Sequence, residues 1–453
     1  MNLLKLSYSY LRRRILNTLL NTLLLSFGIA TIVILLLFSY QVEDNLYKNA
    51  EGVDAVVGAK GSPVQLILSS IFHIDAPTGN INLGEAKELM EHPMVATAIP
   101  LALGDNYRGY RIVGTTSAYL EKYGAEYRDG TSWDHEFEVV AGAAVAEITG
   151  LRVGDRFVSS HGFSGSGHTH DEHELIITGV LKPTGTVLDR LLLTGVETMW
   201  GIHDSHGEHD HDYEHDHHAE HVAHTSEHNH HHDDDHGHSN HTHEEHSDDG
   251  HGHDHTRGRD ITDSSYLSDR YENEELTSML IRYANPLAAA QFPRFVNAET
   301  NMQAAAPATE ITRLLTLLGV GLDAIEIFAY ILILASILGI FIALINSMKE
   351  RKYDLAIMRT LGASRQKLFV HIIIEGVLVS LAGALLGIVL GHAAVEGIGL
   401  MMAEAQQFDI TGFIIVPGEG WILILAVFIG LIAALIPAIR AYQTDIADTL
   451  SKT

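Results

Sequence analysis

The sequence predicts a polytopic α-helical membrane protein with four transmembrane helices in a 1+3 arrangement and a large extracytoplasmic mixed α/β domain. Three observations carry this. An uncharged run of 20 residues occupies 21–40. Three further long apolar runs crowd the C-terminal third. Between them, apolar stretches are short and broken by Gly and Pro, as in a water-exposed globular domain.

Taken in order, residues 1–20 form a cytoplasmic amphipathic N-terminus and residues 21–40, NTLLLSFGIATIVILLLFSY, the first transmembrane helix. At 1.5 Å per residue such a run spans a hydrocarbon core of roughly 30 Å. A secretory signal peptide is the competing reading, with Arg12, Arg13 and Arg14 as its basic region. The apolar stretch is too long for that, and no small-x-small cleavage site follows it directly. The remaining spans are 325–345, 368–392 and 420–439. Each is apolar on every side, which a buried soluble helix of that length rarely is.

Basic residues set the orientation. Lys5, Arg12, Arg13 and Arg14 precede the first span. Lys349, Arg351, Lys352, Arg359, Arg365 and Lys367 lie between the second and third, and Arg440 and Lys452 follow the fourth. All three groups belong inside. The domain 41–324 and the loop 393–419 are then outside, and the segment 346–367 and the tail 440–453 are cytoplasmic.

Within the outer domain, 109–116, 137–146, 173–182 and 190–196 have strand character, while Ala86–Met90, Thr116–Lys122 and Ala143–Thr149 read as helical pieces. Residues 297–324 read as a helical stalk leading into the second span, with Gly319 and Gly321 its expected interruption. His73, in the turn-rich SSIFHIDAPTGNI, is the histidine singled out for a specific role, structural or functional.

The net charge of −28 is uneven: residues 201–260 hold 17 Asp/Glu against two Arg. Nucleic acid is therefore not an expected partner. Absence of cysteine removes disulfides and thiolate sites. The insertion 201–256 alternates acids with His203, His206, His209, His211, His215, His217, His218, His228, His230, His231, His232, His236, His238, His241, His243, His246, His251, His253 and His255. With no apolar period it builds no core and reads as disordered without metal. Imidazole and carboxylate together suit Zn2+ or another divalent transition metal. The alternatives are a solvated acidic loop and a pH-responsive segment. His161, His168, His170 and His173 form a smaller cluster that could share ions with it.

NSMKERKYDLAIMRTLGASRQKLF (346–369) resembles the cytoplasmic segment of the FtsX/MacB-like permease family of ABC transporters, of the mechanotransmission type. There a charged stretch and a helix ending in Leu-Gly-Ala precede the third span. The matching positions are Glu350, Arg351, Lys352, Asp354, Ile357, Met358, Arg359, Leu361, Gly362 and Ala363. PAIRAYQTDIADTL (437–450) resembles the family tail, and VVGAKGSPVQLILSSIFHIDAPTGNI (56–81) a subgroup signature. The histidine insertion departs from the family pattern and leaves the substrate open.

The resemblance implies a non-catalytic permease subunit in a bacterial cytoplasmic (inner) membrane, working as a homodimer or paired permease with a separate cytoplasmic ABC ATPase. ATP would be bound by that partner, and a periplasmic or lipoprotein partner is a further expectation. The implied cargo is a lipoprotein, lipid, peptide or hydrophobic compound. Metal transport or homeostasis, and a signalling or scaffold role over an envelope enzyme, are the alternatives. The sequence holds no GxxxxGK[ST] phosphate loop and no recognisable nucleophile–base triad. Glu375 lies within the third span with His371 one turn earlier, either as a local contact or in coupling or transport; Glu326 reads as interfacial.

Overall fold

The structure, a computed structural model, describes residues 15–161, 169–204, 259–350, 360, 362–404 and 410–443. From the N-terminus the elements are α1 (Ile15–Ala50), β1 (Ala55–Ala59), α2 (Pro63–Ser70), β2 (Ile81–Asn82), α3 (Leu83–Met90), β3 (Val95–Tyr107), β4 (Tyr110–Thr115) and α4 (Ser117–Lys122). Next come β5 (Tyr127–Gly130), β6 (Glu138–Ala141), α5 (Ala143–Thr149), β7 (Arg156–His161), β8 (Thr169–Leu181), β9 (Leu192–Gly195) and α6 (Val196–Asp204). The last group is β10 (Glu275–Leu276), β11 (Ser278–Tyr283), α7 (Ala288–Glu299), β12 (Met302–Ala305), α8 (Pro307–Glu350), α9 (Arg365–Glu404) and α10 (Glu419–Gln443).

Four helices, α1, α8, α9 and α10, are long and apolar enough to cross a membrane. They give the multi-pass topology expected, with the α/β domain on the outer side. Their packing rests on small residues that let backbones approach. Gly383, Gly387 and Gly391 on α9 receive Leu25, Ile29 and Val33 of α1, each pair one helical turn from the next. Gly376 of α9 lies against Gly430 and Ala434 of α10. A side chain at any of these glycines would meet atoms of the neighbouring helix within 3.1 Å of its Cβ.

Three helices run further than their apolar stretches. α1 continues past Tyr40 to Ala50, and α9 past His392 to Glu404, so part of the expected outer loop is helical. The expected stalk needs correction at its start and at its expected interruption. Residues 288–299 and 302–305 are a helix and a strand of the outer domain, and the continuous helix starts at Pro307. It passes Gly319 and Gly321 unbroken. Two glycines cost a helix about 1 kcal/mol each, a local penalty that a 44-residue cooperative helix absorbs.

The outer domain is built on one ten-stranded mixed sheet, in the order β12-β1-β11-β3-β4-β9-β6-β8-β5, with β7 bridging β3 and β8. Most neighbours are antiparallel; β4–β9 and β6–β8 are parallel. Both faces are covered, so period-two alternation sends successive residues into two different cores. Ala55 and Val57, Ile112, Val139 and Leu192 enter one core; Val56, Val113, Val140 and Leu193 enter the other. The second core also takes Val42 and Leu46 from α1 and Ile311 from α8. The membrane shafts are thus packed into the domain they carry.

Candidate functional site

The chemistry outside the membrane concentrates where α1 ends. Its last turn carries Lys48 and Asn49, at a helix C-terminus whose final carbonyls have no partner within the helix. The Asn49 carbonyl accepts from Lys122 Nζ at 3.1 Å and from the Tyr123 hydroxyl at 3.1 Å. Its side-chain Oδ1 accepts from Val187 N–H at 2.9 Å, and its Nδ2 donates to Asn45 O. Lys48 Nζ donates to the carbonyls of Thr184 and Gly185. Cations at this end also complement the helix dipole.

The receiving turn is itself held. Buried Asp189 accepts from Thr184 N–H, Gly185 N–H and the Thr184 hydroxyl. On α4, Lys122 Nζ sits 3.5 Å from the Tyr123 ring centre, and Tyr119 meets Tyr123 edge-on at 5.3 Å. His73 Nε2 lies 2.9 Å from the Tyr119 hydroxyl. A polar chain therefore links His73, Tyr119, Tyr123 and the end of the membrane helix.

Burial sets the charges here. It holds the Lys122 ammonium down to about 8, against the opposing pull of Glu51. Burial pushes the Tyr119 and Tyr123 phenols well above their ordinary range. It holds the His73 imidazole down to about 3, with Arg111 adding in the same direction. His73 is therefore neutral at physiological pH. Its backbone is left-handed, with φ 54°, which costs a non-glycine residue and persists only when packing over-determines it.

Beside this joint lies an open cleft of about 550 Å³, with Val53, Ile99, Ala118 and Leu280 on its walls and Lys48, Glu51, Lys122 and Arg282 supplying charge.

The chain leaves for the histidine-rich insertion at the end of α6 and returns at Arg259, and both ends are fixed on residues 134–138. Phe137 N–H donates to Thr198 of α6 at 3.0 Å. Glu136 N–H donates to Arg259 O, and Ile261 N–H to Asp134 O. The Arg259 guanidinium pairs with buried Glu136 at 2.9 Å. His135 stands between Glu138, 3.2 Å from Nδ1, and Asp260, 3.0 Å from Nε2. Asp263 bonds Ser117, and Ser265 bonds Glu197, whose acidity burial weakens.

At the cytoplasmic side, Glu350 closes α8. Gly362 has φ +97°, a backbone that glycine adopts without penalty. Ser364 then caps α9, its Oγ accepting from Lys367 N–H. Turn and cap explain the spacing of Gly362 and Ser364. Residues 326–446, from the membrane part of α8 through α9 and α10, match the FtsX-like permease C-terminal family model. This C-terminal part of the chain is similar to FtsX-like permeases.

A curated protein similar to the chain is the Uncharacterized ABC transporter permease YknZ of Bacillus subtilis, 28% identical over 113 residues, which cover 25% of this chain and 27% of that protein. The match spans about a quarter of the relative's length. Among solved structures, the periplasmic region of MacB from Actinobacillus actinomycetemcomitans aligns with 59% of this chain and 97% of its own, at 10% identity and a TM-score of 0.30. The extracellular domain of the noncanonic ABC-type transporter YknZ from Gram-positive bacteria aligns with 56% and 99%, at 9% identity and a TM-score of 0.26. At such scores neither carries an argument about this chain.

Of the residues selected from sequence, Glu350, Gly362, Ala363, His73 and Glu375 fall in the described part of the chain. Glu375 and His371 are both buried on α9, a turn apart. Arg351, Lys352, Asp354, Ile357, Met358, Arg359 and Leu361 lie outside the described residues. So do the metal-ligand candidates from His206 onward; His203 is in the last turn of α6. His173 stacks on Phe137, with ring centres 4.8 Å apart and planes at 12°. Among the described residues no group of three His, Asp or Glu could hold a metal ion. Sequence reasoning missed Asn49, Lys122, Tyr119, Tyr123 and His135. They are unremarkable one by one, and only the fold assembles them.

Proposed function

We propose that this chain is the permease subunit of an ABC transporter in a bacterial cytoplasmic membrane, relying on a separate cytoplasmic ATPase and converting its cycle into movement of the outer domain. One observation carries this: two unbroken helices, α1 and α8, run from the bundle into the outer domain, and the last turn of α1 is hydrogen-bonded into it. The ATPase docks on the cytoplasmic segment 346–367, and nucleotide-driven displacement passes up the shafts. The two attachments differ further down. Both shafts enter the domain's core, α1 through Val42 and Leu46 and α8 through Ile311, but below that point Leu317, Leu318 and Val320 on α8 are exposed and Gly319 and Gly321 have open space around them. α1 is the rigid arm and α8 the compliant one. Four spans are few for a channel, so the permease works as a pair. Its cargo is extracted or exported at the outer surface, and a lipoprotein, lipid, peptide or hydrophobic compound fits that mode.

The test uses the absence of native cysteine. Spin labels at Ile148 of the outer domain and Leu385 of α9, both exposed, report their separation in the reconstituted complex. ATP should change the distance distribution, and deleting 346–363 should abolish the change. An unchanged distribution through the ATP cycle would remove the reading.

A second reading, metal regulation through 201–256, is supported by the insertion's ligand chemistry and by its two ends being fixed on one short strip, 134–138. Compaction of the insertion would load that strip. Zinc calorimetry on the full chain should show saturable binding that a variant lacking 201–256 loses. Equal binding by both variants argues against it.

A further inference from the structure

The segment 410–418, ITGFIIVPG, has no charged residue and is bound to three membrane helices at one level. Gln41 of α1 immediately follows the uncharged run 21–40. Its amide pairs with the Thr411 backbone on both sides, Nε2 to Thr411 O at 3.0 Å and Thr411 N–H to Oε1 at 2.9 Å. On α9, His392 Nδ1 lies 2.6 Å from Gly412 O, and Glu396 accepts from the Thr411 hydroxyl and Gly412 N–H. At the start of α10, Glu419 accepts from Val416 N–H at 2.8 Å and meets His392 Nε2 at 3.2 Å. Gly412 is pressed against α9, since a Cβ there would lie 2.1 Å from the His392 carbonyl oxygen.

Ile410 and Val416 are buried at the two ends of this clasp. Between them, Phe413 and Ile415 are 85% and 80% exposed, and Ile414 is 42% exposed. Three consecutive apolar side chains are thus held outward on a restrained backbone, an arrangement a water-facing loop does not need. Their level is given three times over, by Gln41, His392 and Glu419, each at the outer boundary of an apolar span. In the first turn of the adjoining α10, Trp421 is 72% exposed, and Phe428, seven residues on along the same helix, is 57% exposed. Trp at that height marks the boundary between acyl chains and headgroups.

We propose that Phe413, Ile414 and Ile415 insert into the outer leaflet of the bilayer. The segment 410–418 is then a lipid-seated foot that holds the outer ends of α1, α9 and α10 at the acyl–headgroup boundary. Its seat is lipid because the level, the lack of charge and the continuity with α10 all match the bilayer. Fixed in this way, the base of the rigid arm keeps a constant height while the outer domain moves.

Single Phe413→Cys and Ile415→Cys variants of the full chain, which has no other thiol, carry a nitroxide in vesicles of phosphatidylethanolamine and phosphatidylglycerol. Collision with oxygen, which partitions into lipid, is compared with collision with a water-soluble nickel complex. Labels at Phe428 and Ile148 serve as lipid and water references. At 413 and 415 the oxygen-to-nickel ratio should lie several-fold above that at Ile148 and on the side of Phe428. A ratio equal to that at Ile148 overturns the proposal, because the foot is then in water. Shielding from both reagents with an immobilised label also overturns it, because protein, such as a second copy of the chain, then covers the foot.

Discussion

The Tyr123 hydroxyl donates to the Asn49 carbonyl at 3.1 Å, so the last turn of a membrane helix ends on a residue of the outer domain rather than on water. This joint is strong in proportion to its hydrogen bonds. Tyr123→Phe removes one of them and should lower stability by about 1 kcal/mol. Asn49→Ala should cost more, because it leaves the part-buried Val187 N–H without its acceptor. Thermal unfolding of the full chain in detergent checks the order, with exposed Glu121→Ala as the neutral reference. If Asn49→Ala unfolds like that reference, the joint does not hold the domain.

Lys122 gives the joint a pH dependence. Its ammonium is held at about 8, below the ordinary 10.5, so the unfolded chain binds the extra proton between those values. Stability contributed by this site should therefore rise as pH increases from about 8 toward 10.5, and the charged form should be a burden at neutral pH. Lys122→Met should flatten that rise. Unfolding midpoints across the alkaline range, compared between the two proteins, decide it.

His73 acts on the acid side. Its imidazole is held down to about 3 from 6.5, so the folded chain refuses a proton that the unfolded chain takes. Stability should fall as pH drops below 6.5 and go on falling toward 3. Asn tolerates the left-handed backbone at this position and does not titrate. His73→Asn should reduce the acid-limb slope while preserving the fold, as read by circular dichroism at graded pH. An identical slope would show that other groups carry it.

The bundle offers a contrast between glycines of one helix. A Cβ at Gly387 would meet Ile29 and the Ser26 carbonyl at 2.8 Å, whereas Gly397 has nothing within 4 Å. Gly387→Leu should destabilise by about 1–3 kcal/mol or prevent assembly through overpacking. Gly397→Ala should be neutral or gain up to about 1 kcal/mol from helix propensity. Detergent-solubilised thermal aggregation measures both. Equal behaviour would mean that α1 and α9 do not approach at Gly387.

Several helical elements were legible because their signals are local. Ala143–Thr149 appears at the boundaries read from the sequence, and Thr116–Lys122 differs by one residue. The glycine ladder on α9 is visible in the sequence as a four-residue spacing, Gly383, Gly387 and Gly391, but its meaning depends on Leu25, Ile29 and Val33 arriving from the other end of the chain. The expected stalk went astray at 297–306 because Met302–Ala305 is apolar at both helical and strand spacing. Its pairing with β1 settled the matter.

By itself the sequence determined the four spans, their orientation and the mixed character of the outer domain, all set by composition or by contacts within a few residues. Tertiary structure alone decided that Asn49 meets Tyr123 and Val187, that both ends of the histidine-rich insertion are fixed beside His135, and that Gln41 holds Thr411. These contacts join residues separated by 74, 138 and 370 positions for the three hydrogen bonds of Asn49 and Gln41. Local pattern carries no information about which distant backbone group a polar side chain will find. That is settled when the sheet and the bundle close and leave buried donors and acceptors to be satisfied.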